Sequence, residues 1–292
     1  RTSHRSLERL ESFDMIDKVE LLKMDLVDDI SINKTIKYAQ ADEIYNLGAQ
    51  SFVGASFDQP ILTSNINGLG PLKVFETVKE LSPHSKIYQA SSSEMFGNSN
   101  EIKNEDSRMC PASPYGISKV YAHKAAQHYR EAYEMFISCG ILFNHESPFR
   151  GLEFVTRKIT YSIARILKNK KDKIVLGNIK SKRDWGFAGD YVKAMWLMLQ
   201  QDNPKDYVVA TGESHSVEDF LEKAFQYVSI DNWRKYVSID EKFMRPQDID
   251  NLIGDSSKAK KELGWTPSVS YEELVKMMID EDKRMLEVDP YY

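Results

Sequence analysis

Tyr88-Gln89-Ala90-Ser91-Ser92-Ser93-Glu94-Met95-Phe96-Gly97 is the stretch from which the fold can be read. Residues 86–89 are short, β-prone and follow a polar turn, which predicts a buried strand. Ser91 to Glu94 then lie just past its carboxyl end, the edge at which open α/β sheets bind ligands. Pro111-Ala112-Ser113-Pro114 precedes Tyr115, and a long helical pattern follows. Tyr115 and Lys119 are four residues apart and so share one helix face. A hydroxyl, a carboxylate, a phenol and an ammonium are thus predicted to converge on one small molecule. Of the fifteen tyrosines, only Tyr115 has lysine at i+4. On its own that spacing also describes a surface tyrosine beside a solvated lysine, so the serine-rich turn gives it its weight. No Gly-x-Ser-x-Gly is present, so Ser91 to Ser93 have no nucleophile elbow.

The 292 residues can bury one large core or two smaller ones. Charged residues make up 28% and hydrophobic residues 41%, an ordinary globular balance. A net charge of −5 argues against a general nucleic-acid binder, which needs a basic face. No apolar run approaches the length of a membrane span. Cys110 and Cys139 are too few for a disulfide framework or a zinc site. The expectation is a metal-free protein of a reducing, cytoplasmic setting.

Along the chain, an apolar strand is predicted over residues 19–24, ending at Asp25-Leu26. A helix is predicted over 31–39. A short strand over 43–47 runs into Gly48-Ala49-Gln50-Ser51, small residues that let a backbone approach a ligand. Residues 60–81 are mostly helical, with Pro71 expected to kink or restart the helix. The helix over 113–135 carries Tyr115 and Lys119, and a strand follows at 136–142. Alternating strands and helices imply βαβ units and a parallel sheet. Beyond Asn144 the pattern loosens: helices at 154–168, 191–200, 217–228 and 271–286, strands at 173–176 and 206–210. The expected fold class is α/β, a Rossmann-type doubly wound sheet over residues 1–145 with a smaller carboxyl-terminal lobe over 146–292.

Several blocks carry a family likeness. They are Ile44-Tyr45-Asn46-Leu47-Gly48-Ala49-Gln50-Ser51, Tyr88 to Glu94, Ser113-Pro114-Tyr115-Gly116, and Gly140-Ile141-Leu142-Phe143-Asn144-His145-Glu146-Ser147-Pro148. Phe154-Val155-Thr156-Arg157-Lys158-Ile159, Lys182-Arg183-Asp184-Trp185-Gly186 and Ala210-Thr211-Gly212-Glu213 continue them. Along essentially its whole length the chain resembles the extended short-chain dehydrogenases/reductases, and within them the GDP-mannose 4,6-dehydratase family. The resemblance implies an NADP-dependent hydro-lyase that forms a 4-keto-6-deoxy sugar on GDP, in the route to GDP-fucose, as a homodimer or homotetramer. A dehydratase of another GDP sugar, such as GDP-manno-heptose, fits the same residues. Three departures stand out. The family's opening strand and glycine-rich turn have no counterpart, so a chain beginning at Arg1 is expected to bind NADP poorly, and a non-catalytic nucleotide-sugar-binding fragment is a competing reading. Ser92 stands where the family has threonine, and Asp248 where it has glutamate.

The resemblance also implies roles. Tyr115 is the base for the sugar C4 hydroxyl, with Lys119 favouring its phenolate and holding the nicotinamide ribose. Ser92 hydrogen-bonds the C4 oxygen, and Glu94 moves the C5 proton to the departing C6 hydroxyl. Cofactor contacts fall on Arg1, Asp25, Leu26, Leu47, Gly48, Ala49, Gln50, Ser51, Tyr115, Lys119, His145 and Arg150. The GDP-sugar falls on Asn144, Val155, Lys158, Arg183, Arg245 and Asp248.

Overall fold

The computed structural model describes residues 7–99, 101–169 and 173–288. Its central sheet is built from β1 (Glu43–Asn46), β2 (Lys86–Ser92), β3 (Ile137–Leu142) and β4 (Asp206–Val209). All neighbours are parallel in the order β1-β2-β3-β4, with Glu43 opposite Lys86, Ile87 opposite Ile137 and Cys139 opposite Asp206.

Helices cover both faces of this sheet. On one side lie α1 (Asp29–Ala39), α2 (Gly70–Leu81) and α3 (Pro114–Ala132); their Ile32, Phe75, Val78 and Ala126 pack with Ile87, Ile137 and Cys139. On the other lie α4 (Ala188–Leu199) and α5 (Ser257–Leu263), whose Met195, Met198 and Leu263 pack with Tyr88, Ala90 and Tyr207. The alternation of Ile87 and Tyr88 between the two cores is the period-2 pattern of a strand buried on both faces. This is the doubly wound Rossmann-type arrangement.

A second core gathers α6 (Val155–Leu167), α7 (Val217–Tyr227) and α8 (Tyr271–Val288) around Trp185. Buried side-chain bonds tie this part of the chain together. Asp184 accepts from the Thr211 amide at 2.8 Å, the Thr211 hydroxyl at 2.7 Å and the Gly212 amide at 2.9 Å. Arg157 on α6 donates to Asp282 of α8 at 2.6 Å and to the carbonyls of Pro148 and Arg150, which fixes the loop that presents Arg150.

One expectation needs adjustment. No strand forms over residues 19–24, and Val19, Leu21, Leu22 and Met24 are exposed. An apolar run becomes a strand only where a neighbouring edge takes up its N–H and C=O groups. Here β1 has β2 as its only partner among the described residues. Residues 60–81 are helical as expected, and the helix restarts at Pro71. A short helix, Pro60–Ser64, passes through a π-helical turn, Asn65–Leu69, into α2, with Pro71 in the first turn of α2. Proline is favoured there because its missing N–H would be unpaired anyway.

Candidate active site

β2 ends at Ser92, whose Oγ accepts from the Glu94 amide at 3.2 Å. That bond caps the 3-10 turn Ser93–Met95 and turns the chain so that Glu94 is carried beside the strand end. α3 begins as its sequence dictates: the Ser113 side chain accepts from the Gly116 amide at 3.0 Å, and Pro114 opens the first turn. Tyr115 is therefore placed in the first turn, beside Ser92, whose hydroxyl favours the ionised phenol. Lys119, one turn on, donates to the Ala90 carbonyl at 2.9 Å, with its Nζ 5.8 Å from the Tyr115 ring centre. Ser92, Glu94, Tyr115 and Lys119 are all buried.

Burial pushes the Tyr115 phenol up to about 12, against the downward pull of the Ser92 hydroxyl and Arg150. Burial likewise brings the Lys119 ammonium down to about 8. Lys119 thus holds the strand end directly, and the groups that draw the phenol toward ionisation are Ser92 and Arg150. A stability prediction follows. Between pH 8 and 10 the unfolded chain keeps the Lys119 proton and the folded one has released it, so stability should rise with pH across that window. Thermal melts of the wild type and Lys119→Met should diverge there, the variant lacking the rise.

Glu94 faces Arg245, with an N–O distance of 3.6 Å, and Arg245 also lies 3.7 Å from Asp248. Arg183 is buried and reaches Asp248 at 3.3 Å while donating to the Ile249 carbonyl at 2.7 Å. Asn178 completes the surroundings of Asp248 at 3.1 Å. Arg183, Arg245 and Asp248 thus gather beside Glu94. The Lys158 ammonium lies 4.1 Å from the Phe243 ring centre. Val155 opens α6, and Asn144 opens a three-residue strand, Asn144–Glu146, parallel to Trp185–Phe187. In that strand His145 is bonded to the Phe143 carbonyl at 2.9 Å and stacked on Tyr191, and burial takes its imidazole down to about 4. Arg150 pairs with buried Glu146 at 3.2 Å and lies over the Phe154 ring.

Asp25, Leu26, Leu47, Gly48, Ala49 and Gln50 line one cavity of about 620 Å³ at the open side of β1. A Cβ on Gly48 would come within 2.8 Å of Leu26 Cδ1, so a side chain there would meet the cavity wall. Ser51 is outside that lining. Arg1 lies outside the described residues.

Two residues at this site have roles that the sequence motifs do not assign. Gly116 packs against the Glu94 carbonyl, where a Cβ would come within 2.7 Å of that oxygen and 2.9 Å of Pro111 Cβ. Gly116→Ala should therefore cost about 1–3 kcal/mol, as overpacking does, and should disturb Glu94, so melting temperature and turnover should fall together. Asn67, buried in the π turn, accepts from the Gln50 amide at 2.8 Å and donates to the Gln50 carbonyl at 2.9 Å, clasping the loop after β1.

A family model described as GDP-mannose 4,6 dehydratase matches residues 1–278. GDP-mannose 4,6 dehydratase 2 of Arabidopsis thaliana is 52% identical over 262 residues, 88% of this chain and 70% of the relative. The GDP-mannose 4,6 dehydratase of Homo sapiens is 44% identical over 285 residues, 91% of this chain and 77% of the relative. Among solved structures, RMD from Pseudomonas aeruginosa complexed with NADPH superposes with a TM-score of 0.83 at 19% identity, over 95% of both chains. The dTDP-glucose 4,6-dehydratase of Bacillus anthracis in complex with NAD also gives 0.83, at 20% identity, over 96% of this chain and 85% of that one. The two structures share the fold, and the close relatives settle the descent: this chain belongs to the GDP-mannose 4,6-dehydratase family.

Proposed function

We propose that this protein converts GDP-D-mannose to GDP-4-keto-6-deoxy-D-mannose and water. The observation that carries this reading is the buried carboxylate of Glu94 beside the buried Ser92 and Tyr115. A simple reductase has use for the phenol and the hydroxyl; a dehydratase also needs a group that moves the C5 proton.

The residues present suit NADP. The cavity of Asp25, Leu26 and Leu47 to Gln50 offers an apolar recess with close backbone approach at Gly48. Tyr115, Lys119, His145 and Arg150 supply polar contacts near the strand end. When bound, NADP supplies the hydride acceptor and donor for the redox steps at C4 and C6.

Tyr115 takes the C4 hydroxyl proton, and Ser92 orients the same oxygen. The 4-ketone acidifies the C5 hydrogen, which Glu94 removes and passes to the departing C6 hydroxyl. One carboxylate serves both transfers because the first step yields the proton that the second consumes. Arg183 and Arg245 suit the diphosphate, since a guanidinium donates two parallel hydrogen bonds to an oxyanion. Asp248 is the acceptor for the N1 and N2 donors of guanine, with Asn144, Val155 and Lys158 along the same GDP-sugar.

Residues 1–145 form the cofactor domain in this reading and 146–292 mainly the GDP-sugar lobe, with a homodimer or homotetramer as the working form. No helix among the described residues is long and apolar enough to cross a membrane. Two unpaired cysteines are compatible with a cytoplasmic protein. The test is incubation with GDP-mannose and NADP, with GDP-manno-heptose as competitor and product read by mass spectrometry. Loss of one water from GDP-mannose supports the proposal; unchanged GDP-mannose, or turnover of the heptose alone, overturns it.

A further inference from the structure

The face of α3 that carries Tyr115 and Lys119 continues at the same spacing to His123 and Gln127. These two enter a polar cluster buried between α3 and strands β2, β3 and β4. His123 Nδ1 lies 2.8 Å from Ser91 Oγ, and its Nε2 lies 3.2 Å from Gln127 Nε2. The same Gln127 nitrogen donates to Asp206 at 2.7 Å. Lys124 donates to Gln127 Oε1 at 2.9 Å, which turns the amide nitrogen inward.

That orientation fixes the protons. The Gln127 amide has two hydrogens, one for Asp206 and one for His123 Nε2, so Nε2 is an acceptor and the imidazole proton sits on Nδ1, donating to Ser91. Five side chains from α3 and three strands therefore gather in one buried cluster, joined by the bonds from Gln127 to Asp206 and His123 and from His123 to Ser91, with Cys139 beside them.

His123 and Cys139 are the neutral members of the cluster, and burial accounts for both. Burial lowers the His123 imidazole to about 4, with Lys124 and Arg130 acting in the same sense and Asp206 in the opposite one. Burial raises the Cys139 thiol well above its usual range, although Arg130 pulls it down. His123, Cys139 and Asp206 also present ligand atoms within 4.8 Å of one another. A metal ion is not their function, because the Arg130 guanidinium already pairs with Asp206 and lies 3.9 Å from Cys139 Sγ.

We propose that His123 is a positioning residue for the reaction: through Ser91 it sets the register of α3 on β2, and with it the contact between Tyr115 and Ser92. Lys119 grips the Ala90 carbonyl and His123 grips Ser91, so two successive turns of the helix hold two successive residues of the strand just before Ser92. The inference rests on the catalytic reading of Tyr115 and Ser92.

Three substitutions separate positioning from packing. In His123→Asn the amide nitrogen reaches the place of Nδ1 and can still donate to Ser91. In His123→Gln it reaches toward Nε2 instead, and His123→Phe has neither donor. Turnover of GDP-mannose by the Phe and Gln variants should fall about tenfold or more, the scale of a sub-ångström misplacement, with KM little changed. Asn should recover most of it. The alkaline side of the kcat/KM profile should also move to higher pH in His123→Phe, because a loosened Ser92 no longer draws the phenol down. Ser91→Ala, a minimal loss of volume, should reproduce both effects and serves if the Phe variant does not fold. Wild-type turnover in Ser91→Ala, or equal losses in Asn and Phe with an unshifted profile, would overturn the proposal. If the wild type itself leaves GDP-mannose unchanged, the proposed function fails on its own. The positioning role is then judged by the Tyr115 titration, read as ultraviolet difference spectra against Tyr115→Phe. That titration should move upward in His123→Phe, and an unmoved curve overturns the role.

Discussion

Glu94→Gln is expected to abolish formation of the 4-keto-6-deoxy product while leaving GDP-mannose bound. Glutamine has nearly the shape of glutamate and can keep the turn capped by Ser92, because that cap uses the backbone amide of residue 94. What it lacks is a basic oxygen for the C5 proton. It also lacks the charge facing Arg245 at 3.6 Å. Arg245 keeps Asp248 as a partner at 3.7 Å, so its guanidinium is not left unpaired and affinity should change little. Calorimetric titration with GDP-mannose and a product assay by mass spectrometry separate the two effects. Product at near the wild-type rate would remove Glu94 from the proton transfer.

Tyr115→Phe should lower kcat by roughly 10² or more, the usual contribution of a positioned acid-base group. The ring stays and fills the same buried place in the first turn of α3, so the melting temperature should hold. The Ser92 hydroxyl keeps its bond from the Glu94 amide when the phenol oxygen is removed, so it is not left unpaired. Below neutral pH the loss should be masked, because a phenol pushed up to about 12 leaves the wild type with almost no phenolate. The wild-type rate should therefore climb with pH while the variant stays flat. A variant that unfolds, or that keeps the climbing profile, would make Tyr115 structural.

The sequence made the sheet legible where periodicity and punctuation agree. Residues 86–89 announced β2, and the structure extends it to Ser92. Ser113-Pro114 announced the start of α3 through a cap and a first-turn proline, both local rules. Residues 19–24 misled because strand formation depends on a partner edge, which no local pattern encodes. The grouping of Ser92, Glu94, Tyr115 and Lys119 could be anticipated, since two elements suffice to bring them together. Gly116 could not, because its need for no side chain arises from a carbonyl twenty-two residues earlier in the chain, delivered by another element. The His123 cluster was hidden for the same reason: its members come from four elements and span Ser91 to Asp206. Lys119 was foreseen as a charge beside a phenol; burial and the Ala90 carbonyl make it a clamp on the strand.

The wide turn Asn65–Leu69 makes the chain sensitive to counting. A π turn holds one residue more than an α turn, and removing one residue from it would restore regular winding. The two flanks would keep nearly the same facing, because a wide π turn and an α turn with one residue fewer sweep about the same angle. What would move is the turn itself: Asn67 would leave Gln50, and the loop after β1 would lose its clasp. A single-residue deletion here is thus a local tightening of the helix, and its cost should fall on the loop after β1 rather than on the packing of α2.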